Sequence, residues 1–195
     1  REPPMDMVVH ADIKLSHVLK NRNVQWFMSA NFWMIFAHSS FYVFYSLYLD
    51  QMGYSKGEIG IFWMLGVLAE VIFFYYQSHF FGRFSTKNIL LAAYLIAILR
   101  FVLMAYWPNL IALILAQLMH AATFGANHSA SVKMLQTWFS GPLQARGQAL
   151  YTTVSYGIGG TLGGICAGWV WEHWAPEHVF GVAALSSLIG FLCMR

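Results

Sequence analysis

The chain has 195 residues, of which 58% are hydrophobic, 17% aromatic and 10% charged, with a mean hydropathy of +0.54. Soluble domains carry about 25% charged residues, so this composition excludes a water-soluble globular domain and points to an integral membrane protein whose solvent is the lipid bilayer. The net charge of +3 is dispersed rather than clustered, which argues against a nucleic-acid partner.

Residues 1–22, REPPMDMVVHADIKLSHVLKNR, are polar and mixed in charge and carry a Pro-Pro pair. They read as a loop leading into a short amphipathic turn at a membrane surface. No signal-peptide pattern follows Arg1, and Arg195 comes directly after an apolar run, so the chain reads as part of a longer protein. A membrane-spanning helix needs about 20 apolar residues. The sequence predicts six such segments, at 24–49, 57–80, 88–107, 109–135, 145–171 and 178–194, and hence an all-α bundle.

The turns between them carry their own signals. Ser55 precedes Glu58 by three residues, the spacing of a capping box at a helix start. Pro108 suits the first turn of the fourth helix, where a missing N–H costs least. The fifth segment is rich in glycine, and Gly160, Gly164 and Gly168 repeat every four residues, which predicts a face for close helix packing rather than a phosphate loop. Cys166 and Cys193 lie in apolar runs and read as packing residues.

With the N-terminal segment cytoplasmic, that side collects Arg1, Lys14, Lys20, Arg22, Arg83, Lys87, Lys133, Arg146 and Arg195, against Lys56 alone on the other. This bias predicts that both ends are cytoplasmic.

Three apolar segments each hold one expensive group near the middle: Glu70, Arg100 and His120. Glu70 and Arg100 lie roughly 18–20 Å from a helix end at 1.5 Å per residue, so the three are expected at one depth. A charge there costs roughly 2.5–3.5 kcal/mol on insertion scales. A structural Glu–Arg pair that fixes packing is the plainer alternative; the reading preferred is a charge-balanced transport site in which Arg100 holds Glu70 ionised. Gln117, His120, Thr123, Asn127 and Ser131 fall on one helical face, expected to line a water-filled cavity. Asn31, His38, Tyr42 and Tyr45 form a similar stripe on the first helix. His128 stands to the side. His120 and His128 lack an acidic partner at metal-ligand spacing, no HExxH occurs, and Gly53-Tyr54-Ser55-Lys56-Gly57 reads as a turn with a helix start rather than a nucleophile elbow, so no metal, cofactor or catalytic nucleophile is expected.

The strings HSSFYVFYSLYLDQMGYSKGEIG, MLGVLAEVIFF, AILRFVLMA and QLMHAATFGANH resemble the C-terminal half of the 3-phenylpropionic acid transporter subfamily of the major facilitators, itself related to lactose-permease-type proton symporters. The resemblance covers residues 20–195. It implies that residues 1–22 are the end of the central cytoplasmic loop, that 23–195 form the C-terminal six-helix bundle of a twelve-helix fold, and that the N-terminal bundle is missing. It further implies a bacterial inner-membrane protein performing proton-coupled symport of a small organic solute by alternating access. By that likeness Glu70 contacts substrate, Arg100 tunes proton release and His120 lies in the substrate site, with all three in proton coupling. Tyr156 falls near a position facing the central cavity. Two departures stand out: Thr123 replaces the proton-carrying carboxylate of those symporters, and Gln117 replaces a lysine.

The expected substrate-binding residues are therefore His38, Tyr42, Tyr45, Glu70, Arg100, His120, Thr123, Asn127 and Tyr156. The residues leave the solute open between an aromatic acid and a sugar or nucleoside. An intramembrane enzyme using Glu70 and His120 as acid and base, and a purely structural membrane subunit, are the alternatives from other classes.

Overall fold

A computed structural model describes residues 15–195. The loop expected over residues 1–14 lies outside the described residues. All regular elements of the described residues are helical: α1 (Leu15–Leu19), α2 (Arg22–Gln51), α3 (Lys56–Arg83), α4 (Thr86–Tyr106), α5 (Leu110–Leu118), α6 (Asn127–Trp138), α7 (Gln144–Tyr151), α8 (Gly160–His173) and α9 (His178–Met194). π-helical segments join α5 to α6 (Ala121–Ala126) and α7 to α8 (Thr152–Gly159). Each expected apolar segment coincides with a helical stretch. Of the described residues, three stretches are long and apolar enough to cross a membrane: Lys56–Arg83, Thr86–Tyr106 and the rod Leu110–Trp138. Helix α9 is apolar but shorter.

Short polar side chains start the helices by satisfying first-turn N–H groups. Asn21 accepts from Asn23 N–H at 3.0 Å, Ser85 from Asn88 N–H at 3.2 Å and Asn109 from Ala112 N–H at 3.0 Å. At α3 the predicted capping box forms: Ser55 Oγ accepts from Glu58 N–H at 3.3 Å, and Ser55 N–H donates to Glu58 Oε2 at 2.8 Å. Because Asn109 caps α5, Pro108 stands just before the cap rather than inside the first turn. Gly53, at φ +87°, makes the turn that leads from α2 to α3.

Helix α2 is the central element. It packs against α8, α9 and the Thr152–Gly159 segment, while α9 also packs on α4 and α3 packs on the Leu110–Trp138 rod. Buried on α2, beside its apolar core residues, are Asn31, His38 and Ser40. Asn31 Oδ1 accepts from Ser131 Oγ at 2.7 Å and from Asn127 Nδ2 at 3.5 Å, tying α2 to α6. By contrast α3 fully buries only Ile59, Phe62 and Gly66, half-buries Trp63, Glu70 and Phe73 and leaves most of its remaining surface exposed.

The helix ends divide by charge. Lys20, Arg22, Arg83, Lys87, Lys133, Arg146 and Arg195 gather toward one end of the bundle, where Lys87 Nζ donates to the Arg195 carbonyl at 2.8 Å, and no acidic residue joins them among the described residues. Asp50, Glu58, Glu172 and Glu177 stand toward the opposite end with Lys56.

The glycine face of α8 is offset from the predicted one. A Cβ at Gly160, Gly164 or Gly168 would meet nothing closer than 3.5 Å. A Cβ at Gly159 would come within 2.9 Å of the Phe32 carbonyl oxygen, and one at Gly163 within 2.8 Å of Phe36 Cα. Close approach to α2 therefore rests on Gly159 and Gly163, a four-residue pair rotated one position from the expected series. Overpacking a tight contact costs about 1–3 kcal/mol, so Gly163→Ala is expected to lower the thermal unfolding temperature of the purified protein in detergent. Gly164→Ala, whose Cβ would meet only Val43 Cγ2 at 4.0 Å in ordinary contact, is expected to stay within about 0.5 kcal/mol of the parent.

Candidate functional site

Arg100 projects from the middle of α4 into the space between α2 and the Leu110–Trp138 rod and is wholly buried. Its Nη1 lies 3.1 Å from His120 Nδ1, 3.0 Å from Thr123 Oγ1 and 3.4 Å from His38 Nε2. A guanidinium only donates, so each of these atoms must present a lone pair to it. His38 Nδ1 lies 2.9 Å from the Met34 carbonyl, which only accepts, so the His38 proton sits on Nδ1 and Nε2 is bare. The two hydrogens of Nη1 then serve His120 Nδ1 and Thr123 Oγ1, and the Thr123 hydroxyl donates to His38 Nε2 at 3.3 Å. With Nδ1 of His120 bare, its proton is on Nε2, which faces Tyr42 Oη at 3.4 Å and Glu70 Oε2 at 3.7 Å.

The result is a network in which donation runs outward from Arg100 along two arms, through Thr123 and His38 to the Met34 carbonyl and through His120 toward Glu70, satisfied when both imidazoles carry a single proton. Aromatic rings complete the cage. Phe41 lies under the guanidinium with Cζ 4.2 Å from its centroid. Phe124 stacks on His120 at 5.3 Å and 7°, and on its other side on His128 at 6.3 Å and 12°. Trp63 lies parallel to Tyr42 at 6.1 Å while its Nε1 donates to Ser46 Oγ at 2.9 Å.

Exposure rises across this network. Arg100 and His38 are inaccessible, the Glu70 side chain is 16% exposed and Tyr42 is 44% exposed. The cluster thus opens toward a single flank, beside Tyr42 and Glu70. Gly125 allows the approach of α3 there, since a Cβ at that position would come within 3.3 Å of both Glu70 Cγ and Phe73 Cδ1.

The structure therefore gathers six of the predicted residues: His38, Tyr42, Glu70, Arg100, His120 and Thr123. Three others sit apart. Tyr45 packs on Phe41 at 4.7 Å and Trp63 at 5.5 Å. Asn127 pairs with Asn31, and Tyr156 Oη bonds His128 Nδ1 at 3.1 Å. The expected Glu70–Arg100 pair does not form: Glu70 meets His120, and no carboxylate lies within ion-pair distance of Arg100 among the described residues. Nor does the polar stripe of the fourth segment line a water-filled cavity. Its members are buried, with Gln117 fitted against Gly66 and Ser131 bonded to Asn31. Cavities lie elsewhere, one of 840 Å³ between α3 and α4 and one of 400 Å³ beside His128 and Lys133.

Sequence reasoning passed over Phe41, Trp63 and Phe124. The spacing of His120, Phe124 and His128 at four-residue intervals was the available signal, because it stacks rings along one helix face. The π-helical register of Ala121–Ala126, which carries Thr123 and Phe124, has no marker in the sequence; such segments recur at functional sites.

An all-helical bundle of apolar helices with a buried cationic cluster at its centre defines an integral membrane protein. The MFS_1 like family matches residues 4–182, and the chain belongs to that family of major-facilitator proteins. It is 32% identical over 152 residues to the probable 3-phenylpropionic acid transporter of Escherichia coli (strain K12), covering 78% of this chain and 40% of that protein. It is 20% identical over 174 residues to the uncharacterized transporter YwbF of Bacillus subtilis (strain 168), covering 89% of this chain and 44% of that protein. The chain thus spans about two fifths of the curated relatives it matches. No solved structure matches it.

Thr123→Val keeps the side-chain shape but removes both the acceptor for Arg100 and the donor to His38. Hydrogen bonds to charged groups contribute about 1.5–3 kcal/mol, so thermal unfolding in detergent is expected to shift by that order, whereas Thr123→Ser is expected to stay close to the parent.

Proposed function

We propose that this chain is one six-helix half of a secondary active transporter that takes up a small organic acid together with a proton. The observation that carries the reading is Arg100: a buried cation with no carboxylate partner, whose Nε and Nη2 have no acceptor among the described residues. A buried charge is tolerated when an anion or dipoles compensate it. Here neutral acceptors supply part of that compensation, and the carboxylate of a bound solute supplies the remainder.

The rings of Tyr42, Trp63 and Phe124 on the open flank suit an aromatic group on the same solute, in keeping with the name of the Escherichia coli relative. A sugar or nucleoside is less well served, because Asn127 is buried with its Nδ2 turned to Asn31 and Glu70 faces His120. An acid–base enzyme is disfavoured on the same ground: Glu70 faces His120, and His120 accepts from Arg100, rather than the two flanking a cavity.

In this reading Glu70 carries the coupling proton, since Thr123 has no titratable group. Its carboxylate faces the His120 Nε2–H, so protonation weakens that contact and transmits a change through His120 to Arg100. Residues 23–195 form the C-terminal bundle and residues 1–22 end the central cytoplasmic loop. The remaining length of the relatives corresponds to an N-terminal bundle seated on the flank that carries Tyr42 and Glu70. Two such halves, related by an axis along the membrane normal, bind solute between them near the midplane and rock to give alternating access. The basic end of the bundle, with both chain ends, faces the cytoplasm of a bacterial inner membrane.

The test is uptake by the full-length protein in cells, with an aromatic acid supplied across a range of external pH. Glu70→Gln is expected to abolish uphill accumulation while downhill exchange of labelled solute persists. Uphill accumulation left intact by Glu70→Gln would show that the coupling proton is carried elsewhere.

A further inference from the structure

Helices α3 and α4 are joined by only Phe84 and Ser85, yet their faces do not close on one another. Each packs instead on the Leu110–Trp138 rod, and an 840 Å³ groove remains between them. Its floor is made shallow-chained by Ala121, Ala122 and Ala126, and its α4 wall by Ala92 and Ala93, so that small residues create the depth. Leu68, Ile72 and Phe73 line the α3 side, so the walls toward the bundle centre are apolar.

The groove is polar at one end only. There His79 and Asn88 line it, and Arg83 and Lys87 stand next to them in the chain at the α3–α4 turn, Lys87 with one Nζ–H on the Arg195 carbonyl at 2.8 Å and two left to donate. This is the end of the bundle that carries no acidic residue among the described residues. From Asn88 the α4 wall rises about 12 Å to Ile96, close to the depth of one leaflet, which is half of a hydrocarbon core of about 30 Å. An apolar trough of leaflet depth with cations at its headgroup end matches one kind of occupant.

We propose that this groove is a binding site for an anionic phospholipid, with an acyl chain lying against the alanine floor and the phosphate held by Arg83, Lys87 and Asn88. The residues on the far side of the floor include Thr123, and Ala69 of the wall adjoins Glu70, so the bound chain lies directly behind the buried cluster. The site stands independently of the solute and the coupling reaction.

The test is native mass spectrometry of the full-length protein, extracted from vesicles of equal parts phosphatidylglycerol and phosphatidylcholine with identical acyl chains. Phosphatidylglycerol is expected to be retained preferentially, by about fivefold for each basic residue that contacts it. Arg83→Gln combined with Lys87→Gln is expected to bring the ratio close to one, and Ala92→Phe, which fills the wall, to reduce retention of both lipids. Thermal unfolding of each variant verifies that it is folded. Equal retention of the two lipids by the parent would overturn the proposal, as would a folded Ala92→Phe variant that holds phosphatidylglycerol like the parent.

Discussion

A guanidinium held in the interior of a membrane bundle without a carboxylate beside it is the constraint on which this structure turns. Placing a charge at the centre of a spanning helix costs roughly 2.5–3.5 kcal/mol on insertion scales, and Arg100 is fully buried. The chain meets that cost with two neutral acceptors, His120 and Thr123 of the Leu110–Trp138 rod, and with the ring of Phe41 on α2. Much of the remaining polar architecture follows. His38 is fixed in one tautomer by the Met34 carbonyl so that a lone pair faces inward, and Thr123 both accepts from Arg100 and donates to His38.

The backbone is shaped to the same end. The π-helical segment Ala121–Ala126 sets Thr123 toward Arg100 while Phe124 lies flat on His120. Gly125, in the same segment, leaves space for Glu70 and Phe73, and Gly66 leaves space for the Gln117 amide. Glycine in these helices serves approach between neighbours rather than chain flexibility. At the junction of the Thr152–Gly159 segment and α8 the same device lets Gly159 and Gly163 meet the backbone of α2, the helix that carries His38 and Tyr42. The order of elements around α2 thus positions the cluster and limits it to one open flank.

Helix positions and the common depth of Glu70, Arg100 and His120 were legible in the sequence, because apolar runs of spanning length and their caps are local signals. The identity of the arginine's partner was not. Charge alone favours Glu70, yet helix rotation brings His120 and Thr123 to Arg100 and leaves Glu70 at the far side of the imidazole, and rotation is set by neighbours rather than by the helix's own residues. The glycines show the same limit: two four-residue repeats, from Gly159 and from Gly160, run one position apart into α8, and only the presence of Phe32 and Phe36 decides which one is the tight face. Tyr45 and Asn127 share the right helix faces but sit one turn from the cluster, where a ring stack and an amide pair engage them. The groove between α3 and α4 had no signature at all, since it arises from two helices failing to meet.

The central claim is that Arg100 completes its compensation with the carboxylate of a bound solute. Equilibrium binding of an aromatic acid and of its uncharged amide to the full-length protein tests it most directly, comparing the parent with Arg100→Gln. The account predicts that the parent favours the acid by about 10–150-fold, the equivalent of one charged hydrogen-bonded contact, and that Arg100→Gln binds acid and amide alike. A parent that binds acid and amide equally, or an Arg100→Gln variant that keeps the preference, would contradict it and leave Arg100 as a packing element.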